Sequence, residues 1–415
     1  MQTKLADFIK NSPQGQEADA ILRSCVHCGF CLATCPTYQL LGDELDSPRG
    51  RIYLIKQMLE GAPVTQKTQL HLDRCLTCRA CETTCPSGVR YGALVDIGRG
   101  LVEQQIKRDA KASVMRYSLR KLLPETRLFG AVLKMGQAVR PLLPGKLKQA
   151  VPLRAQPAGI WPKSQHARKM LVLDGCVQPS LAPSINAATA RVLNRLGISL
   201  IVAPDAGCCG AVTFHLNAQQ ESLDYMRRNI DAWWPFIERN EVEALVMTAS
   251  GCGVTVKEYG HLLQHDSVYA VKAQRISAMT KDVSEILHAE SEALNHVFQA
   301  FHGATKKRIA FHSPCTLQHG LKIKGVVEKI LVATGFELTQ VPDAHLCCGS
   351  AGTYSILQPE LSQQLLKNKV AALESDSPEQ IVTANIGCLM HLRTGLNNPI
   401  AHWIELIDEQ LLRRI

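Results

Sequence analysis

The chain has 415 residues, a net charge of +9 and 16 cysteines, and its length suits two or three domains rather than one. Aromatic residues make up only 5%, which excludes an aromatic stacking platform for nucleic acid. No run approaches the roughly 18 apolar residues of a membrane-spanning helix, and Met1 to Lys10 lacks a signal peptide's apolar core, so a cytoplasmic protein is expected.

Disulfides are disfavoured in a reducing compartment, so clustered thiols at fixed short spacings point to metal or cluster ligation. Residues 1 to 100 hold eight of them. Cys25, Cys28, Cys31 and Cys35, followed by Pro36, obey C-x₂-C-x₂-C-x₃-C-P, and so do Cys75, Cys78, Cys81 and Cys85, followed by Pro86. In this pattern three thiolates wrap one [4Fe–4S] cube and the fourth reaches the other. Cys25, Cys28, Cys31 and Cys85 are therefore expected on one cluster, and Cys75, Cys78, Cys81 and Cys35 on the second. Structural zinc also uses paired C-x₂-C, but it needs neither a third cysteine at that spacing nor a C-P ending. Gly29, Ala33, Ala80 and Gly88 are small enough to let backbone N–H groups approach the sulfurs. Pro48, Gly50 and Pro63 punctuate short helices, one of them over Ile52 to Leu59, and no strand-like alternation appears. Arg49 and Arg51 are candidates to steady the clusters' negative charge. The region resembles the helical ferredoxin domains of respiratory dehydrogenase subunits.

Residues 101 to 168 contain no cysteine. Between 101 and 170 there are fifteen Lys and Arg against three acids, Glu103, Asp109 and Glu125. Helix is expected to about Arg140, and then Pro141, Pro144, Pro152, Pro157 and Pro162 predict an irregular linker. Apolar residues mixed with basic ones, as in Val132-Leu-Lys-Met135, suit an anionic membrane surface or an acidic partner.

Residues 169 to 415 contain a repeat. Cys176, Cys208 and Cys209 recur at Cys315, Cys347 and Cys348, each offset by 139 residues, and Cys252 recurs at Cys388, offset by 136. Each unit reads as alternating strand and helix. In the first, strands are expected at Met170 to Leu173, Ile198 to Val202 and Leu245 to Met247. Helices follow Ser184 and cover about Asn217 to Glu238. In the second, strands are expected at Ile309 to Phe311, Phe336 to Val341 and Ile381 to Thr383, with a helix running to about Thr334. This is the pattern of a parallel α/β layer, and every cysteine falls just past a strand's C-terminal end, where such sheets gather ligands. His312, His345 and His391 lie near the second set of thiols and have no counterparts in the first unit. The expected units are 1–100, 101–168, 169–300 and 301–415.

The Cys-Cys-Gly words, with their flanking cysteines, resemble the cysteine-rich CCG domain of heterodisulfide reductases and flavin-dehydrogenase iron–sulfur subunits. Neither box ends in the family's C-x₂-C: Gly253, Val254 and Thr255 follow Cys252, and Leu389, Met390 and His391 follow Cys388. Each unit thus offers four cysteines, and Cys176, Cys208, Cys209, Cys252, Cys315, Cys347, Cys348 and Cys388 are candidate further cluster ligands. The resemblance implies a multidomain α plus α/β chain, a helical two-[4Fe–4S] domain followed by a duplicated α/β cysteine-rich domain.

Over nearly its whole length the chain resembles the iron–sulfur subunits of glycolate oxidases (glycolate dehydrogenases). The resemblance is carried by Cys25-Val-His-Cys-Gly-Phe-Cys31, Thr37-Tyr-Gln-Leu-Leu-Gly-Asp-Glu-Leu45, Asn229-Ile-Asp-Ala-Trp-Trp234 and Thr383-Ala-Asn-Ile-Gly-Cys388. It implies an FAD-binding partner that oxidises glycolate to glyoxylate, a second flavoprotein-like subunit, and electron flow toward a quinone-type respiratory acceptor at the bacterial inner membrane. No G-x-G-x-x-G after a strand and no Walker A loop occurs, so no flavin is expected in this chain and the substrate site belongs on the partner. The competing readings are the iron–sulfur subunit of an anaerobic glycerol-3-phosphate or lactate dehydrogenase, and a heterodisulfide reductase-like thiol enzyme.

Overall fold

The computed structural model describes residues 1–145, 148, 151–155, 157–298 and 307–412. The expected boundary at 300/301 and the last three residues lie outside them.

The first region is helical, with Pro13–Ser24, Pro36–Leu41, Pro48–Leu59, Gln66–Asp73, Ala80–Thr84 and Tyr91–Gln105. Proline opens three of these helices, where its missing N–H costs nothing. Ser12 and Ser47 cap two of them by accepting from the N–H groups of Gly15 and Gly50. Pro36 therefore ends the first cysteine box by starting a helix. Ile21, Leu22, Ile55, Leu59, Leu72 and Leu94 form the core beneath the cysteine loops. Helix Tyr91–Gln105 runs across the 100/101 boundary. Helices Ala110–Leu122 and Thr126–Val139 follow, then a single turn, Arg140–Leu142; Gly145 and Lys148 are helical again, and residues 157–167 are in neither helix nor strand.

Beyond it stand two parallel four-stranded sheets. The first has strand order β2-β1-β3-β4, from β1 (Arg168–Val172), β2 (Ile198–Val202), β3 (Leu245–Met247) and β4 (Thr280–Asp282). The second repeats it as β6-β5-β7-β8, from β5 (Arg308–His312), β6 (Glu337–Leu338), β7 (Gln380–Thr383) and β8 (Ile400–His402). β4 and β8 are additions to the sequence reading: Thr-Lys-Asp and Ile-Ala-His show neither an apolar run nor a period. β6 is shorter than the expected Phe336 to Val341 because Asp376 takes the Gln340 N–H at 3.2 Å and draws the chain off the edge.

The two units share one apolar core, in which Ile185, Val192 and Leu193 meet Val327, Trp403 and Ile407. Arg191 and Asp408 close its edge at 2.6 Å. The cysteine-bearing rims thereby face one another. Ser250 Oγ lies 2.7 Å from Thr316 Oγ1, and the Gly251 N–H donates to Asn385 Oδ1 at 3.2 Å.

Candidate metal centres

The two N-terminal cysteine loops have the same backbone. His27 and Thr77, 50 residues apart, both adopt left-handed conformations, with φ of 58° and 53°. So do Gly29 and Arg79, at 84° and 59°. Left-handed backbone is unusual for a β-branched threonine, and such strain persists where function demands it. Alternation of this kind turns successive N–H groups to one side, a concavity suited to anions.

Cys25, Cys28, Cys31, Cys81 and Cys85 border one small cavity of about 30 Å³. Burial, and then Cys25, Cys35 and Cys28, push the Cys31 thiol up to about 11. Burial likewise pushes the Cys81 thiol well up, followed by Cys78, Cys75 and Cys35, which lie around it. Cys85 thus lies beside the first loop, while Cys35 acts on Cys31 and Cys81 alike. Tyr91 Oη donates to Cys75 Sγ at 3.6 Å, and the Thr77 N–H donates to the same sulfur at 3.4 Å. Two sets of four thiols, mostly shielded and met by N–H and O–H donors, fit [4Fe–4S] cubes in number and chemistry.

Arg49 borders the first cavity and pairs with Glu44 at 2.7 Å. Arg51 is buried, donating to the His71 carbonyl at 2.7 Å and to Thr37 Oγ1 at 3.1 Å, with Asp46 at 3.2 Å. It binds the two halves of the helical domain behind the thiols.

The duplicated units carry the same sulfur clamp twice. Gly210 and Gly349, the glycines of Cys-Cys-Gly, have φ of 92° and 90°. Their N–H groups donate to Cys208 Sγ and Cys347 Sγ, each at 3.4 Å. Their carbonyls accept from Ser222 Oγ and Ser362 Oγ, each at 2.9 Å. A Cβ on Gly349 would stand 2.6 Å from the Ser362 carbonyl oxygen, so only glycine fits. In the first unit Cys208 contacts Cys176 and Cys209, and Cys209 contacts Cys252. In the second, Cys315 Sγ lies 3.9 Å from Cys347 Sγ, while Cys348 contacts Cys347 and Cys388.

The surroundings differ. His312 lies with Cys348 and Cys388 in a group whose ligand atoms are within 4.8 Å of one another. Burial pushes its imidazole down to about 3, so it is neutral, and Nδ1 is 2.9 Å from Thr383 Oγ1. His391 turns Nε2 to Ser362 Oγ at 3.2 Å. His345 offers its carbonyl to His319 Nε2 at 2.9 Å. Sequence reasoning missed Lys369, which is buried beside this thiol set and donates to the Asp343 carbonyl at 2.8 Å. Burial lowers its ammonium pKa, and Cys348 and Cys347 oppose that. At the matching place the first unit has neutral Asn229, bound to the Cys208 carbonyl at 2.9 Å. An offset of 140 residues between the two positions was the available signal.

The second N-terminal loop docks on the second unit. Leu76 packs with Cys347, Tyr354, Leu361 and Leu365, and Cys78 and Cys315 border that cluster. Tyr354 Oη donates to the Arg74 carbonyl at 3.1 Å, and Arg79 pairs with Glu258 of the first unit. Between these parts lies a cavity of about 2040 Å³ reached by Cys78, Cys176, Cys208, Cys315, Cys347 and Cys388.

Fold and thiol sets together define an iron–sulfur protein with a two-cluster ferredoxin domain and a duplicated cysteine-rich domain. Residues 21–89 match the 4Fe-4S dicluster domain, and residues 170–257 and 309–393 match the cysteine-rich domain. The chain belongs to the family of glycolate oxidase iron–sulfur subunits. It is 55% identical over 412 residues to the glycolate oxidase iron-sulfur subunit of Escherichia coli K12, covering 99% of both chains. The probable glycolate oxidase iron-sulfur subunit of Bacillus subtilis 168 is 30% identical, over 94% of this chain and 92% of its own. Lactate utilization protein A of Bacillus velezensis is 27% identical over 57% of this chain and 97% of its own.

Proposed function

We propose that the chain carries electrons from an FAD-binding subunit that oxidises glycolate to glyoxylate, within a complex holding a second flavoprotein-like subunit, to a quinone-type respiratory acceptor on the cytoplasmic side of the inner membrane. Near-complete coverage by relatives named for glycolate favours this substrate over lactate, whose relatives cover just over half the chain. Two [4Fe–4S] groups supply the single-electron carriers, one held by Cys25, Cys28, Cys31 and Cys85, the other by Cys75, Cys78, Cys81 and Cys35.

A single asymmetry supports the direction of flow. Cys28 is exposed, with Val26 and Phe30 beside it exposed at 67% and 60%. Cys78, its counterpart, faces the second cysteine-rich unit. The exposed first loop is the docking face for the flavoprotein, which places its electron donor against the first cluster. Leu76, Tyr354 and the Arg79–Glu258 pair hold the second loop against the thiol rims, at the border of the large cavity. Among the described residues no helix is long and apolar enough to cross a membrane, which suits peripheral attachment.

Iron and sulfide per chain after anaerobic purification, with EPR of the reduced protein, provide the test. About eight irons and two coupled [4Fe–4S] signals are expected. Cys78→Ser should lose one cluster and abolish acceptor reduction while glycolate binding by the partner survives. Unchanged iron in that variant would refute the ligand assignment.

A further inference from the structure

Helix Thr126–Val139 contains no buried residue. Its inner side, with Phe129, Leu133, Gly136 and part of Val132, roofs the large cavity that Cys176 and Cys208 also reach. Thr126 Oγ1 donates to the Gly175 carbonyl at 3.4 Å and fixes the helix over the loop after β1. The outer side is apolar as well. Leu128, Val132, Met135 and Val139 are exposed at 49%, 39%, 66% and 48%, and Leu142 on the next turn at 86%. Their spacing alternates four and three residues, a single stripe of the kind that ordinarily faces a core. Here it faces outward.

Exposed Arg127 and Lys134 flank the stripe, and residues 126 to 170 contain no Asp or Glu at all. The segment after the helix folds back on it, where Gln137 Nε2 holds the Leu153 carbonyl at 3.2 Å and Leu153 itself is 72% exposed. An acid-free apolar ridge rimmed by cations complements an anionic lipid surface, in which apolar side chains enter the acyl boundary and cations meet the headgroups.

We infer that this helix is the membrane contact of the protein. It lies in the plane of an anionic bilayer with Leu128, Val132, Met135, Val139 and Leu142 immersed, and it sets the roof of the thiol-lined cavity against lipid. The inference rests on the reading that electrons leave for a lipid-borne acceptor, and it adds the surface that brings the cavity to that acceptor.

The test is flotation of the anaerobically purified full-length chain with vesicles of phosphatidylglycerol and phosphatidylcholine, against phosphatidylcholine alone. Binding to the anionic vesicles is expected, falling about tenfold or more in the double variant Arg127→Glu and Lys134→Glu. The double variant Leu128→Glu and Met135→Glu should lose binding outright. Those side chains are exposed, so iron per chain and helix content should match the parent. Absence of binding by the parent chain, or undiminished binding by the Leu128→Glu and Met135→Glu variant, overturns the inference. So does loss of flavoprotein association by that variant without lipid, which would make the ridge a subunit interface. Cluster reduction by glycolate in the assembled complex with a soluble acceptor is scored separately. Its failure with vesicle binding intact would sink the relay reading and keep the membrane contact.

Discussion

Asp46 shows how one carboxylate can hold a domain together. It is fully buried and meets Arg51 at 3.2 Å, Arg74 at 2.8 Å and His71 at 3.1 Å, while its carbonyl accepts from Thr37 Oγ1 at 3.0 Å. Asp46→Asn would leave the Arg51 guanidinium buried without its counter-charge, at a cost of about 3–5 kcal/mol. Anaerobic thermal unfolding should show the loss, together with release of iron from the second loop, since Arg74 directly precedes Cys75. His402 is the opposite case, a base kept neutral. Burial pushes its pKa down to about 3, and Nδ1 accepts the Ile404 N–H at 3.3 Å, which an imidazolium could not do. The unfolded chain takes up this proton below about pH 6.5, and the folded chain does not until near pH 3. The stabilisation is therefore complete above pH 6.5 and is lost as pH falls, by about 1.4 kcal/mol per unit. His402→Asn, which can still cap the last helix, should unfold with a shallower pH dependence between pH 6 and 4. An unchanged slope would show that other groups set the acid limit.

The Cys-Cys-Gly turn is an element repeated almost atom for atom, which makes its glycine testable. Gly349→Ala combines left-handed backbone with a contact to the Ser362 carbonyl, and about 2–4 kcal/mol of destabilisation is expected. The damage should stay in the second unit, leaving the iron of the N-terminal domain in place; loss of that iron would mean the units do not fold separately from it. Elements of this kind were legible in the sequence because their information is local. Ligand spacing, the C-P endings and the constant offset of 139 residues all survive in one dimension. β1, β2 and β3 could be read as apolar runs, whereas β4 (Thr-Lys-Asp) and β8 (Ile-Ala-His) could not, because neither is a run of large apolar residues. Lys369 went unread for another reason. It lies on helix Pro359–Glu374, more than twenty residues beyond Cys348, and only tertiary packing brings it to the thiols. The exposure of Cys28 against the shelter of Cys78 is equally invisible in two identical motifs, since it depends on what docks over each loop.

At the scale of the whole molecule, the helical domain is tied to both cysteine-rich units by contacts far apart in sequence. Arg79 reaches Glu258, Tyr354 reaches Arg74, and His319 Nδ1 lies 3.0 Å from Thr83 Oγ1. Protease cleavage in the irregular stretch between 157 and 167 should therefore leave two fragments that co-elute, and raised salt alone should not part them, because Leu76 is buried among Tyr354, Leu361 and Leu365. Fragments that separate at once would mean the cysteine rims and the second loop are held only by the covalent linker. The crossing of the two N-terminal boxes has a further consequence, in time rather than space. On the proposed ligand assignment Cys85 completes the first thiol set and Cys35 the second, yet the boxes leave the ribosome 50 residues apart. At the usual pace of synthesis the earlier box waits about 3–10 s for its partner. During that wait four thiols stand together in a nascent chain with nothing to finish either set, vulnerable to oxidants and to the wrong metal. On that assignment neither thiol set can be completed before the second box emerges, and the first must wait for Cys85 itself.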